Sequence, residues 1–375
     1  MTRLSQQLSG KLLTIALLIL CGSCPVSPAR AAHMIGYWDS WADLPLGKVS
    51  SNYDVVMISF ATGSGPDAAT MKFAPSVESL ADIVSDVAVL HKQGAKVLIS
   101  VGGGGGPHTE LLNPTDLSNF VTSVEAIVDR YKLDGIDLDF EDGIFAVDEG
   151  DNDIFHPTTP NIVNLIAAMH QLHDHYGAGF MITAPPESEA MNGYSYWGNK
   201  YAKDWTGAYG GFLSFLNGTR DVLTFVAPQY YNAAPYYGLD NNEYHPGSQD
   251  FDVSQIDLML NGCTLVTGQY FPPIAPNQIA IGIPATPIGD DSYLDPDKIL
   301  QAAEYIGSGT SYGGAYRLSK MGGYPGFQGV MTWDINSDKT TGYKLANTLV
   351  PYLHSISDSN TAVVDHFDDL SMATT

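Results

Sequence analysis

Eight short apolar runs, rich in β-branched residues and spaced along most of the chain, limit this sequence to a few architectures. They are 34–38 (MIGYW), 54–61 (DVVMISFA), 96–101 (KVLISV), 133–140 (LDGIDLDF), 179–184 (GFMITA), 223–230 (LTFVAPQY), 278–284 (QIAIGIP) and 329–335 (GVMTWDI). Strands buried on both faces read as continuous apolar runs of this length. Segments with helical periodicity separate most of them. Residues 77–93 follow Pro75-Ser76 and stop before Gly94, which supplies a cap at each end. Residues 117–131 follow Pro114-Thr115-Asp116 and set Phe120, Val124, Ile127 and Val128 on one stripe. Residues 161–176 lie between Pro160 and Gly177, and 253–266, 296–306 and 341–354 complete the set. The connection after the first run is short and its helical signal is the weakest. Strands alternating with helices imply parallel βαβ units. An open doubly wound sheet satisfies that alternation too, but regular spacing over the whole chain favours closure. The expected fold is α/β, a (β/α)8 TIM barrel in one domain over residues 33–355, which contain no Pro- or Ser-rich linker. Such a barrel takes about 250 residues plus its loops.

The ends carry other signals. Arg3 and Lys11 precede or open the apolar run Leu12 to Cys21, and Ala29-Arg30-Ala31 is a small-x-small cleavage pattern. Residues 1–32 are therefore expected to be a signal peptide, too short in its apolar part to span a bilayer. The mature protein is then expected to be secreted, extracellular or periplasmic, with no membrane segment. A lipid-modified Cys21 or Cys24 is a lesser alternative. Residues 356–375 are polar, acidic and aperiodic, as expected of a flexible tail. Removing the leader takes three basic residues and no acidic one, which moves the formal charge from −24 to −27. So acidic a surface repels phosphate backbones, which argues against nucleic acid as a partner and suits a neutral substrate. Only Cys263 outlasts the leader, so no internal disulfide is expected, and Cys263 reads as a buried helical residue.

The stretch Asp134-Gly135-Ile136-Asp137-Leu138-Asp139-Phe140-Glu141 carries the chemistry. Alternate residues of a strand share a face, so Asp137, Asp139 and Glu141 should line one side, about 6.5–7 Å apart. Ile136, Leu138 and Phe140 should pack against the helix layer. Clustered carboxyls in a low-dielectric interior cannot all ionise, and a catalytic acid needs a retained proton near neutral pH. An acidic calcium loop or a solvated edge strand are the plain alternatives. Calcium loops take their ligands from tighter turns, and edge strands rarely keep so regular an apolar face. In a barrel, catalytic groups sit at the C-terminal strand ends, where Glu141 falls.

These residues match the DGxDxDxE signature of family-18 glycoside hydrolases at every fixed position, so the chain resembles that family. The resemblance extends to Ile35-Gly36-Tyr37-Trp38 on the first strand and Ser100-Val101-Gly102-Gly103 on the third. Gln229-Tyr230-Tyr231-Asn232 is similar to the end of the sixth strand, and Met331-Thr332-Trp333 to the end of the eighth. It covers about residues 33–355 and is nearest to single-domain bacterial and plant-like chitinases. What it implies is a retaining, substrate-assisted mechanism without cofactor or metal. Glu141 would protonate the leaving oxygen while the substrate's 2-acetamido carbonyl attacks the anomeric carbon. Asp139 would accept from the acetamido N–H, Asp137 would share a proton with Asp139, and Tyr231 would donate to the acetamido oxygen. Trp333, Gln229, Asn232, Tyr37, Ser100 and Gly103 would complete the substrate site, with Tyr37 and Ser100 supporting the aspartates.

The implied activity is endo-hydrolysis of β-1,4 bonds in chitin or N-acetylglucosamine oligosaccharides by a monomer. An endo-β-N-acetylglucosaminidase acting on N-glycan cores would use the same strand. An inactive lectin of the same fold typically loses the glutamate that stands here as Glu141. About forty residues separate the seventh and eighth runs, too few for the α+β insert of many processive chitinases, so an open cleft is expected. Two departures stand out: Ala184-Pro185-Pro186-Glu187 has an extra proline, which leaves Glu187 outside the expected site, and Asp334 follows Trp333 where serine is frequent. His170, His173 and His175 share a helix but lack a completing carboxylate pattern, and read as a solvated face. The run Gly102 to Gly106 lacks the Lys-Ser/Thr of a phosphate loop and reads as a tight βα turn. Asp148 to Asp153 reads equally as a solvated loop or as part of the cleft wall.

Overall fold

A computed structural model describes residues 32–64, 67–151, 153–192, 210–265 and 267–356. The expected leader and tail lie outside these residues, save Ala32 and Ile356. Among the described residues, eight strands of a nine-stranded sheet run parallel: β1 (His33–Asp39), β2 (Val55–Ser64), β3 (Lys96–Gly102), β4 (Gly135–Asp139), β5 (Met181–Ala184), β6 (Phe225–Val226), β7 (Ala280–Pro284) and β8 (Gly329–Trp333). They run in the order β7-β8-β1-β2-β3-β4-β5-β6. Parallel bridges Val226↔Ile279 and Gln229↔Gly282 join the two ends and close the barrel. The longest helices between strands are α1 (Leu80–Gln93), α2 (Pro114–Tyr131), α3 (Pro160–Tyr176), α4 (Phe212–Gly218), α5 (Gln249–Asn261) and α6 (Pro296–Ser308); α7 (344–356) follows β8.

The two-residue period of each strand splits the core. Ile35, Tyr37, Val55, Met57, Leu98 and Met331 face inward and form a small cluster inside the barrel. Met34, Trp38, Val56, Ile58, Val97, Ile99, Ile136 and Leu138 face outward into the larger cluster under the helices. The register sets Ser100 beside Asp137 on one flank and Thr183 beside it on the other. Gly135 is required by that pairing, because a Cβ there would lie 2.1 Å from Met181 O.

Several boundaries differ from expectation, each for a local reason. β2 continues to Ser64 and pairs with an antiparallel strand, Asp67–Phe73. α1 is capped by Ser79 in a capping box with Asp82, three residues after Ser76. β6 is two residues long, since Pro228 has no N–H for the ladder. α5 ends before Gly262, whose φ of 71° breaks the helix. Cys263 is therefore buried in a two-residue antiparallel strand, Cys263–Thr264, and not in a helix. The connection after β1 holds one 3-10 turn, Leu46–Lys48.

Candidate active site

Glu141 stands two residues beyond the end of β4, at the mouth of a cleft of about 500 Å³. Asp139 lies one strand repeat deeper and Asp137 deepest, both buried. Asp137 is held by three hydroxyls. Its Oδ2 accepts from Tyr37 Oη (2.7 Å) and Ser100 Oγ (2.7 Å), and its Oδ1 accepts from Thr183 Oγ1 (2.7 Å). Burial pushes this carboxyl up, and the three donors pull it back toward the charged form.

Asp139 has the opposite setting. Burial raises it well above the usual carboxylate range, and the neighbouring Glu141 and Asp137 add to the rise. An interior carboxyl beside two others is costly to ionise, so Asp139 keeps its proton to higher pH. The resemblance implied a proton shared between Asp137 and Asp139. In this structure three hydroxyls hold Asp137, whose charge also raises Asp139, and Asp139 and Glu141 form a second pair of neighbouring carboxyls. Gln229 bridges the pair: Nε2 lies 3.1 Å from Asp139 Oδ1, 3.0 Å from Glu141 Oε1 and 3.0 Å from Pro185 O.

The other expected residues gather here. Tyr231 and Asn232 line the cleft with Gly103 and Trp333. Burial and the three carboxyls hold the Tyr231 phenol far above its usual range, so it is a neutral donor. Asn232 has φ 50°, and its N–H donates to Asp290 Oδ2 (2.7 Å). Gly103 N–H donates to Asp139 O (2.8 Å), and a Cβ there would meet the Phe60 ring at 2.6 Å. Tyr37 and Ser100 lie beneath the cleft and reach it through Asp137.

Sequence reasoning missed part of the wall. Phe60 stacks on Trp333 with ring centroids 5.7 Å apart and planes 8° apart. Trp41, 48% exposed, adds a third ring 5.9 Å from Phe60 and 6.4 Å from Trp333. Thr62 and Ile288 line the cleft as well. Only alternation along β5 could have shown Thr183 facing Asp137, and only the distance past β1 could have shown Trp41 at a strand end. The lining carries two ionisable carboxyls, Asp139 and Glu141, and no cationic side chain among the described residues. Such a wall suits a neutral ligand that offers N–H and O–H donors and an apolar ring face.

The remaining candidates lie elsewhere. His170 Nε2 hydrogen-bonds Gly218 O (3.0 Å) on the helix layer. Asp151 is buried and accepts from Thr158 N, Thr159 N and Thr159 Oγ1, so it ties its own loop to the start of α3. Among the described residues no group of three or more His, Cys, Asp or Glu is placed to hold a metal ion.

Comparison with known proteins agrees with this geometry. The sequence profile of "Glycosyl hydrolases family 18" matches residues 33–206. "Chitinase D" of Niallia circulans is 36% identical over 352 residues, covering 92% of this chain and 66% of that protein. "Chitinase Chi52" of Paenibacillus xylanexedens is 36% identical, over 92% of this chain and 65% of its own length. The chain thus spans just under two thirds of these two relatives. "Probable class II chitinase" of Arthroderma benhamiae is 34% identical over 83% of this chain and 95% of its own. A crystal structure titled as a family GH18 chitinase from Chromobacterium violaceum superposes with TM-score 0.75 and 29% identity, over 86% of this chain and 83% of that one. The barrel, its carboxylate strand and these relatives together make the chain a member of glycosyl hydrolase family 18.

Proposed function

We propose that this protein is a chitinase that cleaves β-1,4 bonds between N-acetylglucosamine units with retention. One observation carries the reading: Glu141 lines the cleft beside a buried Asp139, and one amide, Gln229 Nε2, reaches both carboxyls. An incoming acetamido N–H donates to Asp139, and the acid proton lies on Glu141. Glu141 protonates the glycosidic oxygen as the acetamido carbonyl attacks the anomeric carbon. The bond to the leaving oxygen breaks, and Asp139, now charged, faces the cationic intermediate. Glu141 then takes a proton from the water that opens it. A nucleophile tethered within the substrate needs only positioning, which can lower a barrier by about 7 kcal/mol or more. Tyr231 serves as donor to the acetamido oxygen, and Trp333 with Phe60 packs the apolar face of the sugar.

Residues 1–32 support export, and we place the mature enzyme outside the cytoplasm, with residues 33–355 as its catalytic domain. The connection from β7 to β8 consists of α6 and its flanking loops, which supports an open cleft and endo action. Incubation with chitin oligomers and with a high-mannose glycoprotein tests the substrate. Fresh β-anomeric ends on the oligomers are the expected result. Release of glycans with intact oligomers would transfer the reading to the N-glycan core, and α-anomeric ends would end it.

A further inference from the structure

Tyr231 and Asn232 follow a strand too short to hold them. β6 ends at Val226, and beyond it the chain meets β7 through the bridge Gln229↔Gly282 and through Tyr230 N–H, which donates to Gly282 O (2.9 Å). Two residues after Tyr230 the backbone leaves the strand direction. Asn232 has φ 50°, in the left-handed region that asparagine tolerates better than most residues. Its N–H donates to a side chain, Asp290 Oδ2, at 2.7 Å. Asp290 lies in the loop after β7, and that loop is itself fixed. At its start Ala285 N–H donates to Trp333 O (2.8 Å). The other oxygen of Asp290, Oδ1, accepts from Ser292 N (3.1 Å) and from Ser292 Oγ. Asp291 O packs against Gly247, where a Cβ would lie 1.8 Å away. Ile288 of the same loop lines the cleft with Tyr231 and Asn232.

We propose that Asp290 is a positioning residue for Tyr231: it holds the Tyr231–Asn232 turn so that the phenol meets the acetamido oxygen of the substrate. The inference rests on the reading of Tyr231 as that donor. Tyr231 stands between two backbone hydrogen bonds, from Tyr230 N–H to β7 and from Asn232 N–H to the loop after β7. Partial burial alone would raise the Asp290 carboxyl, but hydrogen bonds from Ser292 and the Asn232 N–H bring it below its ordinary range. It is therefore a charged acceptor, the stronger kind. Without it, Tyr231 is held from one side, and its hydroxyl, at the far end of the ring, leaves the geometry that the attacking carbonyl needs. The apolar face of the sugar packs on Trp333 of β8 and Phe60 of β2, which the bond does not touch. Its loss therefore acts on turnover more than on binding. Asn232 is exposed and Asp290 half-buried, so the fold depends little on their contact.

The experiment is a double-mutant cycle of kcat and KM on a chitin oligomer, with wild type, Asp290→Ala, Tyr231→Phe and the two combined. Asp290→Ala should lower kcat by ~10-fold and leave KM within a few-fold of wild type. Tyr231→Phe should lower kcat by ~100-fold. The double variant should match Tyr231→Phe within about two-fold, because holding the turn gains nothing once its hydroxyl is gone. Asp290→Asn keeps the shape of the side chain, but its single oxygen cannot accept at both ends, so it should be slowed as well. Thermal melts accompany the rates, and should Asp290→Ala melt far below wild type, Asp290→Asn takes its corner of the cycle. Losses that multiply in the double variant, or wild-type kcat in the folded Asp290 variant, overturn the proposal. If Tyr231→Phe keeps wild-type turnover, the reading of Tyr231 as donor falls first and this inference with it.

Discussion

Asp137 meets the cost of burial with three hydroxyls and no cation. A buried charge without partners is severely destabilising, and charge-assisted hydrogen bonds offset much of that cost. Asp139 has no such set and keeps its proton to higher pH than it would unfolded. The sign follows. Unfolded, an aspartate loses its proton near about 3.9. Folded, Asp139 loses it later, so its contribution to stability is greatest below pH ~4 and is lost as pH rises through the folded value. Asp139→Asn should therefore melt higher than wild type above pH ~4, with the gain growing toward neutrality. It should also lose most activity and move the acid limb of the pH–rate profile. Melting curves at acid and neutral pH beside that profile check this; unchanged turnover and an unmoved limb would reduce Asp139 to a structural residue. The carboxyl series was legible because its spacing of two matches the strand period. Thr183 and Phe60 were not, since in sequence each is an ordinary β-former, and their roles arise only from register with Asp137 and Trp333.

At the scale of elements, β4 was readable to within two residues at its start and one at its end, and the glycine turn after β3 only in outline. A five-glycine run signals a tight turn, but not which glycine meets which side chain. Gly104 has Glu141 Oε2 only 2.6 Å from the position of a Cβ, whereas Gly105 has open space but φ +69°. The two positions therefore make opposite predictions. Gly104→Ala should displace the Glu141 carboxyl and cost ~10-fold or more in kcat, with melting shifted by a few degrees at most. Gly105→Ala should cost about 1 kcal/mol of stability and leave kcat within a few-fold. Steady-state rates and thermal melts on both variants decide the matter; equal behaviour would refute the assignment of Gly104 to Glu141. β6 shows where the sequence pattern fails. Its apolar run looks eight residues long, and Pro228 cuts the ladder to Phe225–Val226, leaving isolated bridges to close the barrel. Similarly, the apolar pattern of α5 runs past Asn261, and the backbone of Gly262 overrides it.

For the molecule as a whole, the parallel βαβ order was legible because buried strands and capped helices alternate so regularly. Closure was less so, as it depends on pairing between β6 and β7 that no local pattern encodes. The closed barrel brings the ends of β1, β2, β3, β4, β6 and β8 around one cleft, with the buried Asp139 on its floor and stacked rings on its wall. The central claim is that this site works by recruiting the 2-acetamido group of its substrate. The most direct measurement compares initial rates on an N-acetylglucosamine oligomer and on a glucosamine oligomer of equal length, both with chelator present. Cleavage of the acetylated chain should be undiminished by chelator, and the rate should be at least ~100-fold lower on the unacetylated one. Equal rates on the two chains would contradict it.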